Sequence, residues 1–242
     1  MTMASDEHNT PAAFLERIAA LGIELEPHDL HRLGRYLALL LDANTRFNLT
    51  AITDPNEAWM RHVLDSLTLL PLIASAEASR VIDVGSGGGL PGIPLAIAMP
   101  HVRFTLLEAT GKKARFLNEA VQQLGLTNVE VVNDRAEAVG QDSSGMCREQ
   151  FDVVIARAVG RLPVLLELTV PLAKVGGHVL AMKGEKAAGE IAESKAALHR
   201  LHAHVVETIP TATGVIVLIE KMRKTPRIYP RKAGEPKRAP LG

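Results

Sequence analysis

The chain has 242 residues, 47% of them apolar, and a formal net charge of zero, which suits one large domain with a substantial core. Aromatic residues are only 3%, too few for an RNA-binding face built on stacked rings. A single cysteine, Cys147, excludes an internal disulfide framework or a cysteine-based zinc site and points to a reducing compartment, the cytoplasm.

Residues 1–10 are polar, with no apolar stretch that would make a signal peptide, and read as disordered. No apolar run approaches the ~20 residues a membrane span needs. Residues 11–75 read as a helical cap. Leu30, Leu33, Leu37, Leu40 and Leu41 lay one apolar stripe at helical spacing. Asp54 followed by Pro55 is a helix start, the acid as N-cap and the proline in the first turn. The texture changes at Arg80. Short apolar strands are expected at Val81–Val84, Arg103–Leu107, Val129–Val132, Phe151–Ala156, His178–Lys183, His204–Thr208 and Val215–Glu220. Helices are expected between them at Pro91–Met99, Lys112–Leu124, Leu162–Lys174 and Glu185–Leu201, with Gly125 ending the second. Gln141–Gln150 reads as a polar loop.

Strands alternating with helices mean a parallel sheet covered on both faces. Two closing strands without a helix between them add an antiparallel hairpin. The result is an α/β fold with a seven-stranded, mostly parallel sheet and an N-terminal helical cap. It corresponds to the Rossmann-like class I methyltransferase arrangement, with its core over residues 76–220. Residues 221–242 hold eight Lys and Arg against one Glu, a net charge of +7, so residues 1–220 carry −7. Such a basic tail suits either a contact with a polyanion or a disordered, solubilising end.

The chemistry collects at the carboxyl ends of the strands. Asp83-Val84-Gly85-Ser86-Gly87-Gly88-Gly89 follows a strand and opens a helix, and its glycines allow positive φ and close backbone approach to a ligand. Leu90 stands where a dinucleotide loop has its third glycine, so the loop suits a nucleoside without phosphates better than a pyrophosphate. Glu108 ends the second strand, nineteen residues beyond Gly89, where an acid can accept both ribose hydroxyls. Asp134-Arg135-Ala136-Glu137 follows the third strand. Either it flanks an adenine, through Glu137 and the Ala136 backbone, or it caps the next helix. Arg157 ends the fourth strand and is suited to a ligand carboxylate or an RNA phosphate. Lys183 holds the matching end of the fifth.

Neither Asn-Pro-Pro-Tyr nor Asp-Pro-Pro-Tyr follows strand four, which disfavours methylation of an exocyclic amine. Cys147 lies in a polar loop, which disfavours thiolate attack on a pyrimidine. No acid–base dyad is evident. A guanine N7, whose lone pair is free at neutral pH, needs none, and positioning with desolvation would suffice. His199, His202 and His204 read as a helix end, where histidines are electrostatically favoured, and no metal is expected.

Phe47–Ile52, Arg61–Leu67, Asp83–Pro94, Ile155–Ala158 and Pro230–Gly234 closely resemble the motifs of the RsmG (GidB) family, the bacterial small-subunit rRNA methyltransferases. The likeness covers nearly the whole chain, with Gly88 where many members have proline. The resemblance implies methyl transfer from S-adenosylmethionine to N7 of a guanosine in 16S rRNA. The rRNA would be presented within a small subunit or its precursor, and the enzyme would be a monomer. By position it implies cofactor contacts from Gly85, Leu90, Ala136, Glu137 and Arg157, joined by Asp83, Gly87 and Glu108 from the fold. Asn48, Arg61, His62, Lys183, Arg231 and Lys232 become candidates for the RNA side, with Asn48 and His62 alternatively tying the cap to the sheet. Lys237 and Arg238 join them from the tail. Replacing the four tail cations by alanine is expected to weaken RNA methylation and leave cofactor affinity intact.

Overall fold

A computed structural model describes residues 10–142 and 145–241. The expected disordered segment lies outside them except for Thr10, as does a part of the Gln141–Gln150 loop.

Helix α1 (Ala12–Ala20) buries Phe14 and Ile18. Helix α2 (Pro27–Asn44) starts on a reciprocal capping box between Glu26 and Asp29, with proline in its first turn. Leu33, Leu37 and Leu40 of the expected stripe are buried, joined by Tyr36. Asp54 caps α3 (Pro55–Ala58) by accepting the N–H of Glu57 at 2.7 Å. A π-helical stretch, Trp59–Leu64, then runs directly into α4 (Asp65–Leu67), and α5 (Leu70–Ser75) follows. Trp59 and Val63 share one core with Phe14, Leu37, Ile93 and Leu117, so the N-terminal helices and the sheet domain are packed through common apolar residues.

The sheet strands are β1 (Arg80–Val84), β2 (Arg103–Leu107), β3 (Val129–Val132), β4 (Phe151–Arg157), β5 (Ala173–Lys183), β6 (Ala203–Pro210) and β7 (Val215–Lys221). Their order is β3-β2-β1-β4-β5-β7-β6. Neighbours from β3 to β5 are parallel, and β7 runs antiparallel to both β5 and β6. The order reverses between β1 and β4, the crevice at which sheets of this kind hold ligands. Helices α6 (Gly92–Ala98), α7 (Gly111–Leu124), α8 (Ala136–Gln141), α9 (Leu162–Thr169), α10 (Ala187–Glu193) and α11 (Lys195–Leu201) connect the strands. Gly125 ends α7 in the left-handed region.

Two expected helices are shorter than the pattern suggests. The one from Leu162 ends at Thr169 because Pro171 has no N–H to continue it, and β5 already begins at Ala173. The one over Glu185–Leu201 breaks at Ser194, a buried residue whose hydroxyl donates to the Glu190 carbonyl at 2.6 Å.

The tail continues the fold. Lys221 is fully buried, its ammonium held by Glu149 at 2.9 Å and the Ala173 carbonyl at 2.8 Å. The Arg148 guanidinium gathers the carbonyls of Thr225 and Tyr229 at 2.8 and 2.7 Å. The segment then closes with α12 (Glu235–Arg238) against α9.

Candidate functional site

The glycine loop is shaped by local constraint. Gly85, Gly87 and Gly89 have φ of +75°, +58° and +93°, values side chains rarely tolerate. A Cβ on Gly92 would lie 2.3 Å from Leu106 and 2.8 Å from Asp83 Oδ2, so this glycine is what lets α6 sit against the strand ends. The Gly85 and Ser86 N–H groups both donate to the Leu107 carbonyl, fixing the loop across β2. From the cap, Tyr36 donates its hydroxyl to the Gly88 carbonyl at 2.8 Å. A Cβ at position 88 would meet Leu40 at 2.7 Å, so glycine there admits the cap closely.

Beside the loop lies a cavity of about 200 Å³, lined by Gly85, Leu107, Ala136, Glu137, Val159 and Val164 together with Pro236 and Lys237 of the tail. Of the expected cofactor residues it gathers Gly85, Ala136 and Glu137. Glu137 is buried, and its Oε1 accepts the Gly234 N–H at 2.8 Å. Burial opposes its charge, but Gly234, its own backbone N–H and Arg135 outweigh that and hold the carboxyl below its usual range. Glu108 braces the loop from the other side. Its oxygens accept the N–H groups of Gly87 at 2.9 Å and Thr110 at 2.7 Å. Leu90 packs toward the cap-side core and is not among the residues lining this cavity.

Asp83 is wholly buried behind the loop. Oδ2 accepts the Gly92 N–H at 3.0 Å, while Oδ1 has no partner. Burial pushes this carboxyl up to about 7. Arg157 has a second such atom: its Nη1 is buried without a partner, while Nη2 donates to the Arg61 carbonyl at 2.8 Å. An orphaned acceptor and an orphaned donor at the switch point of the sheet are what a ligand bearing both an ammonium and a carboxylate would satisfy.

A second cavity, about 240 Å³, opens at the ends of β4 and β5 and is lined by Arg61, Asp65, Arg157, Lys183, Thr211 and Thr213, among others. Consecutive residues line the two cavities, Ala158 the second and Val159 the first. Lys183 is committed within its wall to Glu190 at 2.7 Å and the Gly160 carbonyl at 2.6 Å. Arg61 is exposed and pairs with Glu57 at 2.8 Å. His62 is buried, its Nε2 2.7 Å from the Thr50 hydroxyl. Burial and then Arg157 depress its pKa to about 4, so it ties the cap loop down as a neutral ring. Asn48 is exposed. The loop it belongs to is folded by Asn44, whose side-chain oxygen accepts the N–H groups of Leu49 and Thr50.

The tail cations divide. Lys232 and Arg238 are exposed. Arg231 is bound through Nε and Nη2 to Glu167 at 2.9 and 2.6 Å, and Lys237 walls the first cavity. Arg231 is thus tied into the fold, while Lys237 is exposed as well as bordering that cavity. Sequence reading gave Asp65 no role within the Arg61–Leu67 motif, and Thr213 and Pro236 carried no signal at all. Among the described residues no group of three or more His, Cys, Asp or Glu is placed to hold a metal.

The fold and the glycine loop define an S-adenosylmethionine-dependent class I methyltransferase. Solved structures agree on the fold. An O-methyltransferase from Bacillus cereus in complex with S-adenosylhomocysteine matches at TM-score 0.58 and 18% identity, covering 86% of this chain and 96% of that one. The O-methyltransferase TomG from Streptomyces achromogenes, in complex with S-adenosylmethionine, matches at TM-score 0.56 and 18% identity over 92% and 100%. The family model for rRNA small subunit methyltransferase G matches residues 29–216. Proteins named ribosomal RNA small subunit methyltransferase G are 51% identical in Sorangium cellulosum, over 91% of both chains, and 41% identical in Leuconostoc citreum, over 96% of this chain and 99% of the relative. The chain belongs to the rRNA small subunit methyltransferase G family.

Proposed function

We propose that this protein methylates N7 of one guanosine in 16S rRNA, in the cytoplasm, as a monomer acting on rRNA held in a small subunit or its precursor. The observation that carries the reading is the pair of cavities at the carboxyl edge of the sheet, lined by the consecutive residues Ala158 and Val159. One is shaped by the glycine loop and the other is lined by Arg61, Asp65 and Arg157. S-adenosylmethionine supplies an electrophilic methyl: the N7 lone pair takes its carbon, the bonding pair stays on sulfur, and the base becomes cationic with no proton moved.

The protein's contribution is placement. Gly85, Ala136 and Glu137 form the nucleoside pocket, with Glu108 holding the loop and available to ribose hydroxyls. Asp83 and Arg157 suit the ammonium and carboxylate of the amino-acid end. Leu90 and Gly87 set the course of the loop. No general base is needed, since N7 carries no proton, so burial and alignment are the levers. Arg61, Lys232 and Arg238 are exposed cations suited to phosphate contacts, with Asn48 beside the same cap surface.

The test is methyl transfer from labelled S-adenosylmethionine to small subunits from a strain lacking this gene, mapped by strand cleavage specific for 7-methylguanosine. A single cleavage site in 16S rRNA is expected. Cofactor binding without label in 16S rRNA would overturn the reading.

A further inference from the structure

Asp65 is the one carboxylate among the described residues lining the second cavity. Its side chain is 4% exposed, and its contacts leave it acceptor capacity. Oδ1 accepts the Thr213 hydroxyl, and Oδ2 lies 3.3 Å from Arg157 Nη2. That separation exceeds the ~2.7–2.9 Å of a strong guanidinium–carboxylate bond. The shorter contact of Nη2 is with the Arg61 carbonyl, at 2.8 Å. An ionised carboxylate offers about four lone-pair sites, so an ion pair alone does not exhaust this one. The other charged side chains around the cavity, those of Arg61, Arg157 and Lys183, are donors only.

We propose that Asp65 reads the target base, its carboxylate accepting the N1–H and 2-amino hydrogens of a guanine seated in this cavity. The inference rests on guanine being the methyl acceptor. Guanine's pairing edge presents two adjacent donors, which a carboxylate matches. Adenine presents an unprotonated ring nitrogen there, which a carboxylate repels. The contact also favours the reaction itself. Methylation at N7 makes the base cationic and its N1–H more acidic, so a hydrogen bond to Asp65 strengthens as the methyl arrives. An interaction stronger in the transition state than in the ground state raises the rate of the chemical step.

The test uses small subunits reconstituted with 16S rRNA carrying either guanosine or inosine at the target position. Inosine keeps N7, the carbonyl oxygen and N1–H but lacks the 2-amino group. The wild-type enzyme is expected to favour guanosine in kcat/KM by about tenfold or more, the worth of a hydrogen bond to a charged group. Asp65→Asn should slow both substrates and bring the guanosine-to-inosine ratio close to one. Asp65→Ser is expected to do the same if the asparagine variant does not fold. Thr213→Val, which removes the hydroxyl but leaves the carboxylate, should keep the wild-type ratio. The same pattern is expected in equilibrium binding of the two subunits with S-adenosylhomocysteine present. A merely structural Asp65 would lower both substrates equally, and an unchanged ratio in its variants overturns the proposal, as does a wild type that does not discriminate. A wild type that forms no 7-methylguanosine on guanosine subunits would count against the functional reading instead.

Discussion

Arg231→Ala tests whether the tail belongs to the fold or to the RNA. Glu167 has a wholly buried side chain, and three donors from Arg231 reach it, the backbone N–H at 2.8 Å, Nε at 2.9 Å and Nη2 at 2.6 Å. Glu167 in turn raises the guanidinium's pKa above its ordinary value. The substitution keeps only the backbone donor and leaves a carboxylate in an apolar helix. Breaking a buried pair from one side costs roughly 3–5 kcal/mol. With Arg231 a quarter exposed, the low end applies, and at about 2–4 °C per kcal/mol for a chain of this size the melting temperature should drop by about 10 °C. Pro236 and Lys237 wall the first cavity, proposed above to take the nucleoside, and Arg231 helps anchor the turn that places them. S-adenosylhomocysteine affinity, measured by calorimetry, should therefore fall by about tenfold, or ~1.4 kcal/mol. Adding Glu167→Gln should restore part of the stability by removing the stranded charge. An exposed pair contributes only ~0–1 kcal/mol. A melting temperature within about 2 °C of wild type, with cofactor affinity unchanged and RNA affinity reduced, would refute the reasoning and return Arg231 to the RNA side.

Asp83 gives a pH signature. Its folded pKa of about 7 lies above the ordinary 3.8, so the stability associated with the neutral carboxyl is present below about pH 4 and lost as pH rises through about 7. Asp83→Asn cannot ionise, and its melting temperature relative to wild type should climb between about pH 5 and pH 8; a constant difference would mean the group does not titrate there. For His62, held near 4 by burial and Arg157, nuclear magnetic resonance should show a neutral ring down to about pH 5. Titration near the ordinary 6.5 would remove it from its buried place. Gly85→Val places a side chain at φ +75° with its Cβ 3.1 Å from Val159. It should cost about 1–2 kcal/mol of stability and more than tenfold in S-adenosylhomocysteine affinity; retained affinity would place the cofactor elsewhere.

The sheet was readable because each strand is a short apolar run with a helix or turn signal at its end. The loop from Asp83 to Gly89 was readable because glycines take the positive φ values found at positions 85, 87 and 89 without the strain other side chains bring. Arg157 was readable as a cation closing an apolar strand. The tail was harder, because a count of charges does not reveal partners. Lys221 and Arg231 contribute to the +7 yet spend it on Glu149 and Glu167. One signal was available: Glu167 interrupts the apolar run Leu162-Pro163-Val164-Leu165-Leu166, and an acid buried in such a helix requires a cation from elsewhere. Asp65 and Thr213 are 148 residues apart, and only the sheet order brings them together. The break at Ser194 depends on burial of its hydroxyl, which no periodicity encodes.

Arg157 lines the second cavity, and its two terminal nitrogens stand in different surroundings. Nη2 is occupied by the Arg61 carbonyl and faces Asp65, whereas Nη1 is buried with no partner. A buried unpaired donor is a standing cost of about 1–3 kcal/mol, and a ligand carboxylate would remove it. Arg157→Lys keeps the charge but not the planar fork, so one ammonium cannot hold the cap carbonyl and a ligand in the same geometry. The variant should bind S-adenosylhomocysteine at least about tenfold more weakly, yet bind 5′-methylthioadenosine, which lacks the amino-acid end, as well as wild type does. Equal losses for both compounds would mean that Arg157 shapes the pocket as a whole and does not hold the carboxylate.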